Sequence, residues 1–288
     1  MVQLQEILKK ARNQPPPSYS AMRLIEVVAD EDHSLAEVTR IVESDSTLTA
    51  QVLRIVNSVA YGLMQPVTTI NRAVSFVGEN MVVGLALASC APQLFRQSLP
   101  GYESDAGELW AHSLRTAIAS REVTGVAKTK ANPEVAFTAG LLHDIGKSIM
   151  SHYLDGMTHN ISERIDRGEV VDYLTAEREA FGIGHPGIGR EMARAWGLPT
   201  VLEHVIGEHH RPSEAAPEYR SLVFAVHIGD IMAMMAGAAT GADAMGYVLD
   251  AHWVDYYDMS QEQFEKMFLV VEQEFEKTRQ AVFGAADG

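Results

Sequence analysis

Leu141-Leu142-His143-Asp144-Ile145-Gly146-Lys147 sets a histidine and an aspartate side by side directly after two apolar residues. An imidazole nitrogen and a carboxylate oxygen so placed can reach one cation. The apolar approach starts the pair in a buried setting, where a carboxylate is costly unless it is paired or bound to metal. Gly146 lets the backbone approach a neighbour closely, and Lys147 lies one helical turn after His143. Taken alone, the dipeptide reads as a core histidine beside a capping aspartate. The chain around it changes that reading, because ligand-type residues recur in helical contexts on both sides.

Outward from this stretch the periodicity is helical throughout. Upstream, Asn132-Pro133 starts a helix that ends at the pair, and Glu108 to Ala127 forms another. Downstream, helical runs cover Ile149 to Glu163, Asp172 to Ala180, Ile188 to Trp196, Thr200 to Glu208 and Tyr219 to Ala236. The glycine-rich turn Phe181 to Gly187 delivers His185. In the first hundred residues, Ser34-Leu35-Ala36-Glu37 spells a capping box, and Leu48, Val52, Leu53 and Val56 share one helix face. Ser260 to Gln263 spells a second capping box, opening a final helix from Gln261 to about Val282. No stretch shows sustained alternation with turn dipeptides. The expected fold is all-α. The polar, Pro- and Gly-containing stretch near residues 98–107 predicts a division into residues 1–100, 101–250 and a C-terminal extension, 251–288. Gly237 to Gly246 reads as a small, flexible connection.

The chain has 288 residues, 47% of them hydrophobic, and a net charge of −15. That charge argues against nucleic-acid binding through phosphates and against anionic membranes, and it suits cation binding. The apolar run Met81 to Ala91 is too short to span a bilayer, and the one at Leu222 to Ala239 carries His227 and Asp230. The expectation is a soluble chain. The single cysteine, Cys90, excludes a disulfide framework, fits a reducing cytoplasm and is expected to be a small core residue.

Ten of the eleven histidines lie between His112 and His252. The candidate ligands are His112, His143, Asp144, His185, His209, His210 and Asp230. Imidazoles and carboxylates serve iron, manganese, zinc or nickel. Five histidines with two aspartates exceed the needs of one octahedral ion, and two ions bridged by Asp144 are the natural solution. The remaining histidines read as structural, His227 least securely because it lies one turn from Asp230.

Two sets of residues carry a family resemblance. Ile41 to Ser58 with Ala60-Tyr61-Gly62, followed by Thr68 to Val74, resembles the N-terminal half of HDOD proteins, bacterial signalling proteins related to the HD phosphohydrolases. Val59 interrupts the Asn-Ser-Ala-Tyr-Gly element. In the second set, His112, His143-Asp144 and Asp230 match the HD pattern in order. His185 and His209-His210 occupy the places of the additional ligands of binuclear members such as the HD-GYP cyclic-dinucleotide phosphodiesterases. Glu108 and Lys147 match two further HD-GYP positions. The resemblance implies a di-iron or di-manganese site, with a third ion through Glu108. After His209-His210 the chain reads Arg211-Pro212-Ser213-Glu214 where that signature has Gly-Tyr-Pro, which departs from the cyclic di-GMP enzymes.

The function so implied is a metal-dependent phosphohydrolase or phosphodiesterase on a nucleotide or cyclic dinucleotide. Asp144 would lie at the reacting centre, and Lys147, with Arg211 less directly, would neutralise phosphate. Two rivals use the same ligands: a non-catalytic signalling adaptor with a structural metal and a protein partner, and an HD-fold di-iron oxygenase.

Overall fold

The structure is a computed structural model that describes residues 2–30, 32–90, 92–237, 241–243 and 247–283. The Cys90 side chain, read as a small core residue, and residues 238–240 and 244–246 of the connection lie outside the described residues. The first half contributes α1 (Val2–Arg12), α2 (Tyr19–Val28), α3 (Leu35–Glu43), α4 (Ser46–Val56), α5 (Ile70–Val77), α6 (Glu79–Cys90) and α7 (Pro92–Phe95). The second contributes α8 (Glu108–Thr124), α9 (Pro133–Leu142), α10 (Lys147–Leu154), α11 (Thr158–Asp166), α12 (Tyr173–Phe181), α13 (His185–Trp196), α14 (Thr200–Glu208), α15 (Pro217–Met235), α16 (Trp253–Tyr256) and α17 (Gln261–Phe283). Among the described residues there is no strand, only two isolated bridges, Leu99 with Ser104 and Ala127 with Tyr257. The all-α expectation holds.

Local chemistry explains the boundaries. Ser34 and Glu37 bond each other's backbone N–H groups as the capping box requires, and Ser260 and Gln263 do the same ahead of α17. Asn132 caps α9 with Pro133 in its first turn. The long helix expected from Ile149 to Glu163 is instead two, α10 and α11. Gly156 takes a left-handed φ of 77° between them, a conformation glycine adopts at no steric cost.

Helices α2 to α6 pack on one another, and α8 is clasped between α9 and α15, with α17 along its outer side. Gly140 of α9 and Gly229 of α15 both lie against the Thr116–Ser120 turn of α8. A Cβ at either position would come within 2.9 Å of that helix. These close crossings bring the histidine of α8 to the end of α9 and to the aspartate of α15.

The main apolar core takes in residues from Ile7 to Phe275 on both sides of residue 100, and a smaller cluster gathers Ile55, Met81, Leu85 and Ala281. Helix α1 packs on α10 and α13, and α17 touches α4 as well as α8, so each terminal helix bridges the halves. The stretch near residues 98–107 is itself packed, with Tyr102 fully buried.

Candidate metal centre

His143 and Asp144 end α9 and open the tight turn into α10. The turn can lie against α13 because residue 146 is glycine: a Cβ there would stand 2.0 Å from the His185 carbonyl oxygen and 2.7 Å from the Gly189 nitrogen. The close approach expected of Gly146 is thus made to the helix that begins with His185. Helix α8 adds His112, α15 adds Asp230, and the C-terminal end of α14 adds His209 and His210. His143, His185 and His209 are fully buried, and His112, Asp144 and Asp230 nearly so.

These side chains form two groups sharing Asp144: His112 with His143, and His185 with His209 and His210. Within each group the donor atoms lie within 4.8 Å of one another. The carboxylate of Asp144 divides its oxygens between them. Its Oδ2 faces His112 Nε2 at 3.5 Å and His143 Nε2 at 3.4 Å. Its Oδ1 faces His185 Nε2 at 3.3 Å and His209 Nε2 at 3.6 Å. Asp230 Oδ1 closes the first group, 3.1 Å from His112 Nε2 and 3.7 Å from His143 Nε2. Its Oδ2 lies 3.6 Å from His210 Nδ1.

Three imidazoles are oriented from behind. His143 Nδ1 donates to the Gly140 carbonyl at 2.7 Å and His209 Nδ1 to that of Ile206 at 2.8 Å. A carbonyl only accepts, so both Nδ1 atoms carry the proton and both Nε2 lone pairs face inward. The Nδ1 of His185 meets Glu177 at 2.9 Å. Inward-facing Nε2 atoms then crowd each other, His112 against His143 at 3.2 Å and His185 against His210 at 3.1 Å.

Several of the converging atoms are buried without a hydrogen bond: Asp144 Oδ1, His209 Nε2, His210 Nδ1 and Asp230 Oδ2. Burying such groups unpaired costs on the order of 1–3 kcal/mol each. Cations held between these atoms would satisfy them, so the donor set fits metal. Without an ion the imidazoles must supply the positive charge. Burial disfavours a proton on His143, but Asp144 and Asp230 overcome it and push the pKa up to about 10. At His185, Glu177 and Asp144 likewise outweigh burial and push it up to about 9. His209, where burial dominates, is pushed down to about 4. Burial opposes ionisation of Asp144, yet His143 and Lys147 hold its pKa well below the usual carboxylate range.

Lys147 is inside the site, though not free to meet a ligand. Its Nζ lies 2.7 Å from Asp144 Oδ2 and 2.6 Å from Asp243 Oδ2. Glu108 is not brought to the cluster. It sits exposed in the first turn of α8, where its carboxylate accepts the Asp105 N–H at 2.8 Å, and the third ion expected through it loses its ligand. Arg211 also stays apart, pairing with Glu214 near the surface. His227 has a structural bond, accepting the Asp250 N–H at 3.0 Å.

Four residues that sequence reasoning passed over complete the site. Glu177 and Tyr102 are fully buried behind His185. Asp243 pairs with Lys147, and the ring of Tyr247 stacks on His210 with centroids 3.8 Å apart and planes at 17°. The connection expected to be merely small and flexible therefore delivers Asp243, with Tyr247 just past its end, and it is anchored by the Ala242 N–H on the Tyr102 carbonyl at 2.6 Å. Among the described residues, no helix is long and apolar enough to cross a membrane.

The structure is similar to that of an HDOD domain protein of unknown function from Geobacter sulfurreducens, with a TM-score of 0.74, 19% identity and 98% of both chains covered. A protein from Marinobacter aquaeolei VT8, provisionally named a signal transduction protein, superposes with a TM-score of 0.76 at 20% identity, covering 98% of this chain and 64% of that one. A provisionally named phosphohydrolase from Shewanella amazonensis SB2B gives 0.63 at 23% identity, covering 96% and 97%. An uncharacterized protein from Treponema pallidum (strain Nichols) is 24% identical over 211 residues, or 71% of this chain, which spans 39% of that relative's length. The model of the HDOD domain matches residues 15–212, taking in α2 to α14 and every candidate ligand of the cluster but Asp230, and on that match the chain belongs to the HDOD family.

Proposed function

We propose that this HDOD protein is a metal-dependent phosphohydrolase or phosphodiesterase, with a binuclear centre acting on a nucleotide-type phosphate ester in the cytoplasm. The observation that carries the reading is the division of Asp144, one oxygen toward His112 and His143 and the other toward His185 and His209. A bridging carboxylate between two histidine sets is what a two-ion site requires. His112, His143 and Asp230 would hold one ion, and His185, His209 and His210 the other; iron or manganese suits this mixed nitrogen and oxygen set, with nickel or zinc as alternatives. When bound, such ions supply Lewis acidity and an activated water. The protein's own contribution is orientation: backbone carbonyls and Glu177 fix the imidazoles, and Lys147 fixes Asp144 from the side. The name carried by the Shewanella relative supports the hydrolytic reading.

A second reading, a signalling adaptor that recognises a protein partner around a structural metal, draws on the covering of the site. Tyr247 lies flat on His210 and Asp243 holds Lys147, so a phosphate would have to displace groups already in place. The Marinobacter relative's name points the same way.

The deciding experiment measures metal content after purification without chelator or metal affinity resin, then turnover of nucleotides, cyclic dinucleotides and bis(p-nitrophenyl) phosphate with defined metal loading. Hydrolysis that disappears in His185→Ala establishes the enzyme. Tight metal with no turnover on the whole panel establishes the adaptor.

A further inference from the structure

Glu177 is a carboxylate with no exposed surface, placed in the middle of α12. Burying a charge is expensive unless its partners are well arranged. Its partners are Tyr102 and His185. The Tyr102 hydroxyl donates to Oε1 at 2.5 Å. The backbone N–H of His185 donates to Oε2 at 2.7 Å. The Nδ1 of the same histidine lies 2.9 Å from Oε2 and 3.1 Å from Oε1. No lysine or arginine forms an ion pair with it among the described residues; its ion-pair contact is His185. Three contacts with one residue, main chain and side chain together, fix that residue's position, ring rotation and tautomer at once.

We propose that Glu177 is the positioning residue of the second ion site, holding His185 with its proton on Nδ1 and its Nε2 lone pair aimed beside Asp144 Oδ1. This rests on the binuclear reading and assigns a role that His112 and His143 do not share. His143 and His209 are oriented by neutral backbone carbonyls. His185 sits at the first residue of α13, where no preceding helical carbonyl is in reach of its ring, so a side chain from α12 supplies the acceptor. A carboxylate does more there than a carbonyl. Accepting the Nδ1 proton raises the electron density of the ring, which strengthens Nε2 as a ligand. Tyr102 in turn holds the carboxylate, and its backbone carbonyl accepts from Ala242 of the covering segment, so the support of the second site is continuous with its cover.

The test is a manganese(II) titration of wild-type, Glu177→Gln and Tyr102→Phe proteins, followed by calorimetry, with thermal unfolding of each metal-free protein alongside. Glu177→Gln keeps the shape and removes the charge. It should weaken one of two sites by about 10–100-fold and leave the other within about threefold, with little change in metal-free melting. Tyr102→Phe should weaken the same site by a smaller factor, and it carries the test if Glu177→Gln does not fold. Wild-type affinity at both sites in Glu177→Gln, or equal weakening of both, would overturn the positioning role and leave Glu177 structural. A wild-type protein that saturates at one ion would instead sink the binuclear reading on which the role depends.

Discussion

Helices α4 and α8 are both packed between neighbours, yet they bury different chemistry. From α2 to α6 the buried side chains are apolar among the described residues, with Ser20 and Thr39 as the polar exceptions there. From α8 to α15 the buried set takes in His112, His143, Asp144, Lys147, Glu177, His185, His209 and Asp230. Burying apolar surface stabilises a fold by about 25 cal/mol per Å², so the first half is explained by packing. Burying ionisable groups costs several kcal/mol apiece without partners, so packing does not explain the second. The first half is a scaffold that many aliphatic combinations would satisfy. The second gives up stability to hold a particular set of atoms at one point.

The largest effect should come from that point. Asp144→Ala removes the bridge between the two groups, and metal content should fall to near zero by elemental analysis. Stability should drop by about 3–5 kcal/mol, as when one partner of a buried charged cluster is lost. Hydrogen exchange should speed up first in α9, α10 and α13. Equal acceleration in α2 to α5 would break the contrast, since it would make the metal centre a support for both halves.

Leu48→Ala is the complementary change. Leu48 is fully buried in α4, and its truncation should cost about 2–5 kcal/mol with metal stoichiometry unchanged. A loss of metal here would show that the scaffold sets the ligand geometry. The smallest effect is a pH dependence confined to the first half. His33 donates to the Asp30 carbonyl at 2.6 Å and faces Glu79 at 3.3 Å. Burial disfavours its proton, but these two acceptors win and raise its pKa above the ordinary value. A raised histidine pKa contributes stability that is full below its unfolded value of about 6.5 and lost as pH rises through the folded value. Wild type should therefore exceed His33→Asn by up to about 1 kcal/mol near pH 6 and by less near pH 9. Denaturant melts at the two pH values that give the same gap would remove the ion pair from the account.

How much of this could be read beforehand follows the same division. Helices announce themselves through capping boxes and apolar stripes, which are local, and Ser34 with Glu37 or Asn132 with Pro133 is enough to place an end. The residues that meet in the cluster could be picked out only together: the His-Asp pair alone reads as core packing, and the recurrence of histidines and aspartates in one order along the chain set it apart. Glu108 misled because sharing a helix face with His112 says nothing about which side of the helix start is solvated. Asp243, Tyr247 and Tyr102 come from irregular segments with no period to betray them, and their contacts exist only after the chain has folded back. Glu177 did leave a trace. Tyr173, Glu177 and Phe181 recur at intervals of four along α12, and both aromatic neighbours are buried, so a carboxylate stands where the stripe calls for an apolar side chain.

The approach of Asp243 to Lys147 has a consequence for electroneutrality. With that ammonium answered, the interior gathers four carboxylates, Asp144, Asp230, Asp243 and Glu177, around one lysine. The formal excess is three negative charges when the histidines are neutral. One bound divalent ion would leave one negative charge of that excess, and two would overshoot it by one positive charge. A loop residue some hundred positions from the His-Asp pair thereby adds to the negative charge of the centre, and a change to that loop would also change the charge the core offers to a cation.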